Sequence, residues 1–436
     1  MQQAVTSTQS PLERHLTVSV PLAEIEAEIN TRLKKLARTV KMEGFRPGKV
    51  PLKMVERHYG FQVRQEVLSD RVTDSFNEAV KGQNYRVAGY PRFQPVEAAQ
   101  GAPNVEYTAT FEVYPEIELG DVSTRAVSRP VTEVTDANVT ATLETVRRQR
   151  AKYNRVERAA AEGDLVNVDF EGLIAGEPFE GNKASNFTII LGDRKMLPAF
   201  EDALVGVKAG ETKTFPLTFP QDYAEQLRGK IADFTVTVNQ VAEPELAPVD
   251  ADFARALGVS DGDVERLKSE VRENITREVA KKTKAVVKEQ VMNALLESAN
   301  FEVPRALLDA EIAGMQKAAV EDLKSRGMTT QDLTLPPDLF VDRATRRLKL
   351  YLIVTELVRR HGLQPKPEQV RKVIEEHAES YEQPDQLVRW YYSDRSRLGE
   401  VEALVMEDNV VEWAMGKMKV SDDATPFDDL MGTRKA

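Results

Sequence analysis

The stretch that decides how this chain is organised is Gly44-Phe45-Arg46-Pro47-Gly48-Lys49-Val50-Pro51. It follows a segment with helical periodicity, and its glycines and prolines prevent that helix from continuing, so we predict an exposed loop. One aromatic and two cationic side chains, Phe45, Arg46 and Lys49, lie in it. Such a loop suits docking onto a large, negatively charged partner, with the cations for phosphate and Phe45 for a small apolar pocket. The alternative is an ordinary connector between two helices, with Phe45 folded into the core.

The residues around the loop predict an α+β domain. Before the loop, apolar residues recur every three or four positions, at Ile25, Ile29, Leu33, Leu36 and Val40. This spacing predicts an amphipathic helix. Pro51 begins a second helix, which we expect to break near Gly60 and to resume as far as Lys81. Three alternating stretches predict strands, at His15–Val20, Tyr85–Val96 and Val105–Leu119. We therefore predict an N-terminal domain over residues 1–114, with a helical hairpin that carries the loop at its tip.

Charge is distributed unevenly along the chain. The 436 residues carry a net charge of −11, which argues against a nucleic-acid coat protein. Between Arg32 and Arg57, however, nine Lys or Arg residues and two Glu residues give a net charge of +7. A basic patch on an acidic body is typical of a protein that docks RNA with one end only. The alternative is that these basic residues form an ordinary solvated helix face and bind no partner.

The composition excludes several kinds of site. The chain has no cysteine, which excludes disulfides, thiolate metal sites and cysteine nucleophiles. The four histidines do not have metal-ligand spacing: they are His15, His58, His361 and His377. We therefore predict no metal and no cofactor. The polar N-terminus lacks the apolar segment of a signal peptide, and no run approaches the roughly 18 apolar residues of a membrane span. We expect a cytoplasmic protein with neither a membrane nor DNA as partner.

The middle of the chain predicts a linker and a small β-rich domain. Residues 115–160 are thinly apolar and read as an extended linker, with a helix at roughly Asp136–Tyr153. Residues 161–246 alternate and are punctuated by glycine, which predicts strands and one short helix, Pro198–Leu204. Aromatic residues are concentrated here, at Phe170, Phe179, Phe187, Phe200, Tyr223 and Phe234, together with Met196 and Leu197. At this density aromatic residues most often form core, so the residues alone leave core and binding pocket both open.

Residues 247–436 predict an elongated all-α domain. Asp263–Ala299 contains neither Pro nor Gly and would form a helix about 55 Å long. Seven of the 11 methionines lie beyond residue 290, and flexible methionines suit surfaces that accept many partners. We expect apolar patches on these helices, with Leu295 and Met315 among their residues, although single methionines in helices are more often core. The polar tail from Ser421 is expected to be mobile.

The loop resembles the ribosome-docking signature of the bacterial trigger factor family, Gly-Phe-Arg-x-Gly-Lys-x-Pro, and the resemblance extends over nearly the whole chain. Pro47 departs from it, because many relatives carry a cation there. The resemblance implies that Gly44, Phe45, Arg46, Pro47, Gly48 and Lys49 bind the large ribosomal subunit near the tunnel exit, through protein and rRNA. It also implies binding of unfolded nascent polypeptides and, away from the ribosome, a weak homodimer.

Residues Gly163 to Glu243 resemble an FKBP-type prolyl isomerase. The resemblance lies in Val168-Asp169-Phe170-Glu171-Gly172, Pro178-Phe179-Glu180-Gly181, Met196-Leu197-Pro198-Ala199-Phe200 and Gly206-Val207-Lys208-Ala209-Gly210-Glu211. It implies that a proline pocket is lined by Phe170, Phe179, Phe187, Met196, Leu197, Phe200, Tyr223 and Phe234. Glu180 and Phe200 depart from the pattern, since many FKBPs carry Asp and Trp at these positions.

We therefore predict a multidomain α+β protein with an α+β ribosome-docking domain, a small β-rich FKBP-like domain and an elongated all-α C-terminal domain. Its predicted function is that of a ribosome-associated, ATP-independent chaperone that shields nascent chains and isomerises X–Pro bonds. The alternatives are a dedicated folding isomerase, whose other domains only recruit substrate, and a ribosome-assembly factor that uses the basic hairpin on rRNA.

Overall fold

A computed structural model describes residues 10–45, 48–96, 103–223, 225–328, 335–379, 381 and 383–432. The chain forms two compact units. The first combines Met1–Arg129 with Ala285–Asp422, and the second combines Pro130–Lys284 with Asp423–Ala436. The first unit thus contains residues from both the first and the last of the four predicted ranges. The division into 1–114, 115–160, 161–246 and 247–436 itself stays a prediction.

The N-terminal part of the first unit is a three-stranded antiparallel sheet packed against a helical hairpin. Its elements are β1 (Glu13–Pro21), α1 (Leu22–Thr39), α2 (Leu52–Gly82), β2 (Val87–Pro95) and β3 (Asn104–Val113). The strand order is β1-β3-β2, so β3 is central. Ile25 and Leu33 of α1 pack with Val55 and Val67 of α2 and with Phe111 of β3 in one buried core. The two predicted helices therefore pack on the sheet through their apolar faces.

The predicted break of the second helix near Gly60 is wrong, because α2 runs without interruption for 31 residues. A glycine inside a helix costs about 1 kcal/mol relative to alanine. On either side of Gly60, Val55, Val63 and Val67 are buried against the N-terminal core. Burial of each of these side chains contributes about 1.5–3 kcal/mol, which exceeds the cost of the glycine.

The second unit is built around a five-stranded antiparallel sheet. Its elements follow β4 (Ala126–Val131) and are α3 (Asp136–Gln149), β5 (Lys152–Val156), β6 (Leu165–Leu173), β7 (Lys183–Ile190), α4 (Pro198–Leu204), β8 (Thr212–Thr218) and β9 (Ile231–Glu245). The strand order is β5-β9-β6-β7, and β8 also pairs with β9. Phe200 and Leu204 of α4 are buried with the sheet residues Val166 and Val236. The predicted β-rich domain with one short helix is present.

Strand β5 lies in the range predicted as linker, and the helix predicted to reach Tyr153 ends at Gln149. The strand is five residues long, and its partner is the C-terminal end of β9, where Tyr153 lies opposite Pro244. Its side chains are exposed or half-buried. Backbone pairing with a distant strand, rather than an apolar pattern, therefore determines its conformation.

The C-terminal region is helical and shares its core with the segment that follows β3. Its elements are α5 (Ala251–Ala256), α6 (Val264–Ser298), α7 (Arg305–Ser325), α8 (Val341–His361), α9 (Pro367–Ala378), α10 (Pro384–Tyr392), α11 (Arg395–Met415), β10 (Lys419–Ala424) and α12 (Phe427–Met431). Ile117 and Val127 are buried with Val291, Ile353 and Val410. No described helix combines the length and apolar character needed to cross a membrane.

Two expectations for this region are corrected. Leu295 was expected on an apolar surface but is fully buried, and Met292 and Met418 lie in the same core. The tail from Ser421 was expected to be mobile, but β10 pairs with β4, and α12 buries Leu430. The fold class is confirmed: an α+β N-terminal part, a β-rich middle and a predominantly helical C-terminal region.

Candidate functional site

The predicted pocket residues come from seven different segments of the second unit. Phe170 lies on β6, Phe187 on β7, Phe200 on α4 and Phe234 on β9. The other four lie in connections between elements: Phe179, Met196, Leu197 and Tyr223. Strand β6 changes register on both sides near Phe170, between Val168 and Phe170 against β7 and between Asn167 and Val168 against β9. Such bulges change the direction of nearby side chains. Here they lie next to Phe170, whose ring contacts those of Phe187, Phe200 and Phe234.

The aromatic rings form one connected cluster. The Phe170 ring lies 5.7 Å from Phe187, 5.5 Å from Phe200 and 6.0 Å from Phe234, measured between centroids. Phe179 lies 6.3 Å from Phe234, and most of these pairs are edge to face, which is the favoured geometry. Met196 and Leu197 pack against the same core. The structure thus brings these seven residues together.

Tyr223 joins the cluster only indirectly, through Phe219, whose ring is 5.0 Å away. Phe219 in turn contacts Phe179 and Phe234. Sequence reasoning missed Phe219, and it also missed Phe215, which contacts Phe200 at 5.5 Å. Phe215, Leu217 and Phe219 occupy alternate positions of one stretch, and Leu217 is buried. This alternation was the signal that could have identified them.

Burial divides the cluster into a floor and a rim. Phe200 is 1% exposed and Phe234 is 6% exposed, whereas Phe187 and Tyr223 are 37% and 41% exposed. No described residue hydrogen-bonds to the hydroxyl of Tyr223. A cavity of about 380 Å³ lies beside the cluster and is lined by Ile174, Phe179 and Leu227 among others. Of the eight predicted residues, Phe179 alone lines it.

The position of the Phe234 ring in the floor of the cluster requires a glycine at position 172. A Cβ atom built on Gly172 would lie 2.6 Å from Cε1 of Phe234, which is closer than atoms approach without a shift. Gly172 is paired with Phe234 across β6 and β9, so the ring lies directly over the backbone of the neighbouring strand. Only glycine allows this close approach.

The loop that follows α1 is anchored at both flanks, and its aromatic side chain lies outside the core. Met42 packs against the N-terminal core, and Val50 is 6% exposed. Gly44 and Gly48 have φ angles of +83° and +77°, which glycine alone adopts readily. Phe45 donates its backbone N–H to the carbonyl of Met42, and its side chain is 36% exposed. Arg46 and Pro47 lie outside the described residues.

The exposed face of α2 beside the loop is cationic and carries a further aromatic residue, which sequence reasoning missed. Lys53, Arg57, Phe61 and Arg64 are spaced three or four residues apart and are all exposed, Phe61 by 79%. Arg57 and Arg64 form no ion pair with another described residue. Phe61 lies nine residues from the start of α2, about 14 Å along the helix. Position on a helix face, which is visible in the spacing, was the available signal.

Comparison with known proteins divides the chain into three matched parts. Residues 1–146 match the family described as bacterial trigger factor protein, and residues 263–416 match its C-terminal counterpart. Residues 156–239 match the FKBP-type peptidyl-prolyl cis-trans isomerase family, and this part contains the whole aromatic cluster.

Two curated relatives are similar over nearly the full length. Trigger factor of Aromatoleum aromaticum is 51% identical over 99% of both chains. Trigger factor of Nitrosospira multiformis is 48% identical over 97% of both chains. A solved structure described as "Promiscuous Substrate Recognition in Folding and Assembly Activities of the Trigger Factor Chaperone" covers 94% of this chain, at 19% identity and a TM-score of 0.44. The assignment rests on the sequence relatives: the chain belongs to the bacterial trigger factor family, ribosome-associated chaperones with an FKBP-type prolyl isomerase domain.

Proposed function

We propose that this protein docks on the large ribosomal subunit near the tunnel exit through the loop Gly44–Lys49, holds unfolded nascent chains on its helical region without ATP, and isomerises X–Pro bonds at the aromatic cluster. Membership of the family makes it a ribosome-associated chaperone with peptidyl-prolyl isomerase activity. The proposal assigns each activity to particular residues. A cytoplasmic location and a weak homodimer off the ribosome stay predictions.

The observation that carries the docking assignment is the exposure of Phe45 between two anchored flanks. An apolar ring that is presented by a glycine-flanked turn, rather than folded into the core beside it, suits insertion into a pocket on a partner. Lys49 is exposed next to it, and the cationic face of α2 continues the surface. We propose that Lys53, Arg57 and Arg64 bind rRNA phosphates, with Phe61 available to stack on an unpaired base.

The aromatic cluster supports catalysis without a nucleophile or a metal. An X–Pro bond is planar through resonance, and rotation about it has a barrier of about 18–20 kcal/mol. The buried rings of Phe200 and Phe234 offer an apolar floor for the proline ring, and this environment stabilises the less polar twisted amide relative to the planar one. The hydroxyl of Tyr223 is a donor for a substrate carbonyl. Binding and orientation at the rim would then place the bond over the floor.

The helical region supports the holding of clients through exposed apolar side chains. Tyr351 on α8 is 60% exposed, Trp390 and Tyr392 on α10 are 49% and 46% exposed, and Leu404 on α11 is 43% exposed. These residues lie on three different helices of the first unit. Separate patches can each bind weakly and still retain a long segment through avidity.

Cosedimentation with empty and with translating ribosomes tests the proposal. We expect binding to both, tighter to ribosomes that carry a nascent chain, and weaker binding as salt rises because cations contact phosphate. The Arg57→Ala, Arg64→Ala double variant should bind more weakly at low salt and show a shallower salt dependence. Binding to subunit precursors that equals binding to translating ribosomes would instead favour an assembly factor.

A further inference from the structure

The carboxylate of Glu201 is buried in the second unit, where it is bound by the backbone of a loop. Glu201 is 3% exposed. Its Oε2 accepts hydrogen bonds from the N–H groups of Gly192 at 2.9 Å and Arg194 at 3.1 Å, and its Oε1 accepts one from Met196 at 3.0 Å. A buried carboxylate without partners would be strongly destabilising, so the carboxylate and the loop hold each other in place.

The loop needs such a partner because its backbone is strained. Gly192 has a φ of +91°, and Arg194 has a φ of +54°, an uncommon left-handed conformation for a residue with a side chain. Strained backbone persists only where the surrounding structure over-determines it. Glu201 bonds to Gly192, to Arg194 itself and to Met196, so it fixes the strained residue and a neighbour on each side.

The same loop carries two residues of the proposed pocket. Met196 and Leu197 lie two and three residues after Arg194 and pack against the aromatic core. Glu201 follows Phe200, the most deeply buried ring of the floor, in the short helix α4. One helix therefore supplies the floor ring and, at the next residue, the carboxylate that holds the loop above it.

We propose that Glu201 is a positioning residue of the prolyl isomerase site: it fixes the Met196–Leu197 edge relative to the floor formed by Phe200 and Phe234. This inference rests on the pocket assigned under the proposed function. Glu201 acts through the loop and does not contact substrate. Its two oxygens accept three N–H donors, so an amide, which offers one oxygen and an NH2 group that can only donate, cannot reproduce the arrangement.

The test compares Glu201→Gln with the unchanged full-length chain. Hydrogen exchange measured by mass spectrometry should become faster in the segment 191–197, while the central part of β9, residues 234–238, stays protected. In the same protein, kcat/KM for a proline-containing tetrapeptide should fall at least about tenfold, because misplacement of a binding group weakens orientation of the substrate. A rise in KM should account for part of that fall. A general loss of structure would instead accelerate exchange in both segments.

Asp202→Asn is the matched control, because Asp202 is an exposed carboxylate on the same helix. It should change neither exchange nor kcat/KM. If Glu201→Gln does not fold, Glu201→Asp, which keeps the charge but shortens the side chain, is measured by the same two criteria.

The outcomes separate this inference from the pocket assignment. Full activity of a folded Phe234→Leu variant would show that the pocket itself is wrongly assigned. Loss of activity in Phe234→Leu, combined with unchanged kcat/KM in a Glu201 variant whose loop exchanges faster, would overturn the positioning role alone. Unchanged exchange in the loop would overturn it as well.

Discussion

The aromatic rings of Phe200 and Phe234 meet edge to face, with their centroids 5.5 Å apart and their planes at 88°. Phe200 belongs to α4 and Phe234 to β9, so this pair connects the helix to the sheet and also forms the floor of the proposed pocket. Edge-to-face pairs contribute about 0.5–1.5 kcal/mol beyond the area that they bury. Stability and catalysis are therefore coupled at this pair, and a variant that tests one must control for the other.

Phe234→Leu should nearly eliminate prolyl isomerisation while the protein remains folded. Truncation to alanine would cost about 3–5 kcal/mol, because it leaves a cavity among the surrounding rings, whereas leucine keeps most of the volume. The measurement is kcat/KM on a proline tetrapeptide, together with thermal unfolding. Phe253→Leu is the matched control, because Phe253 is also 6% exposed in the second unit but lies on α5, outside the ring cluster. It should lower stability and leave activity unchanged. Equal activity of the two variants would refute the pocket assignment.

Gly172→Ala should also lower isomerase activity, because the added methyl group would displace the Phe234 ring. We expect a loss of about 1–3 kcal/mol in the free energy of unfolding, typical of overpacking. The same substitution in a Phe234→Leu background should cost much less, since leucine leaves room for the methyl group. Chemical denaturation of the two single variants and the double variant measures this coupling. Additive losses would show that the ring and the glycine do not interact as described.

Replacing Phe45, Arg46 and Lys49 by alanine should abolish ribosome cosedimentation and leave thermal unfolding unchanged, because the loop contributes Met42 and Val50, not Phe45, to the core. Lys281→Ala, Lys282→Ala is the charge-matched control, since both lysines are exposed on α6 in the second unit. It should retain binding. Cosedimentation of the triple variant at the level of the control would remove the loop from the docking surface.

The Glu356 side chain on α8 is the centre of a cluster of arginines in the first unit. It accepts hydrogen bonds from Arg359 at 2.6 Å and from Arg360 at 3.1 Å, and it lies 3.9 Å from Arg86, which precedes β2. The pKa of Glu356 is lowered, first by the hydrogen bond from Arg359 and then by the charges of both neighbouring arginines, against an opposing effect of burial. The side chain is 12% exposed, and its partners are largely exposed.

A carboxylate whose pKa is lower in the folded state stabilises the protein above its unfolded pKa, near 4.5, and this contribution is lost as the pH falls through the folded value. Glu356→Gln should therefore lower the free energy of unfolding by about 1 kcal/mol at pH 7. The effect is small because the partners, Arg359 and Arg360, are largely exposed to solvent. The difference from the unchanged chain should shrink as the pH falls below about 4.5 and through the lower pKa of the folded state. Urea denaturation between pH 3 and pH 7 measures it, and a difference that is constant with pH would contradict the assignment.

Two helices show how a long stretch without breakers or a proline at the boundary allowed an accurate prediction, although α10, which also begins at a proline, was not predicted. The helix Pro198–Leu204 was predicted at its observed bounds, and α6 within one residue at each end. Strand β5 and the helix through Gly60 were not predicted, because the first depends on pairing with β9 and the second on burial by α1 and the sheet. Local propensity carries no information about either.

Prediction of the candidate site was limited in the same way, because its geometry depends on contacts between residues distant in the sequence. The aromatic residues of the second unit were predicted to gather. The ring contact that joins Tyr223 to the cluster through Phe219 was not predicted. The close approach that requires Gly172 depends on the register of β6 against β9, which places Phe234 opposite Gly172. Glu201 has no sequence signal, since a glutamate on a short helix is usually solvated. Its role follows from burial and from three backbone donors, which only the fold brings together.

The holding of clients should depend on the helical region and not on the aromatic cluster. The substitutions Tyr351→Ser, Trp390→Ser and Tyr392→Ser remove exposed apolar rings from α8 and α10, and they should abolish suppression of aggregation of a proline-free unfolded client in the full-length protein. A single pocket buries too little of a long segment to offset its chain entropy, whereas several patches retain it by avidity. Light scattering during client aggregation is the measurement, and Lys372→Ser, Arg389→Ser, at exposed polar positions of α9 and α10, is the control. Phe234→Leu should hold this client normally, because isomerisation cannot contribute. If holding is lost in Phe234→Leu but survives in the triple variant, the two surfaces are assigned the wrong way round, and a dedicated isomerase becomes the better description.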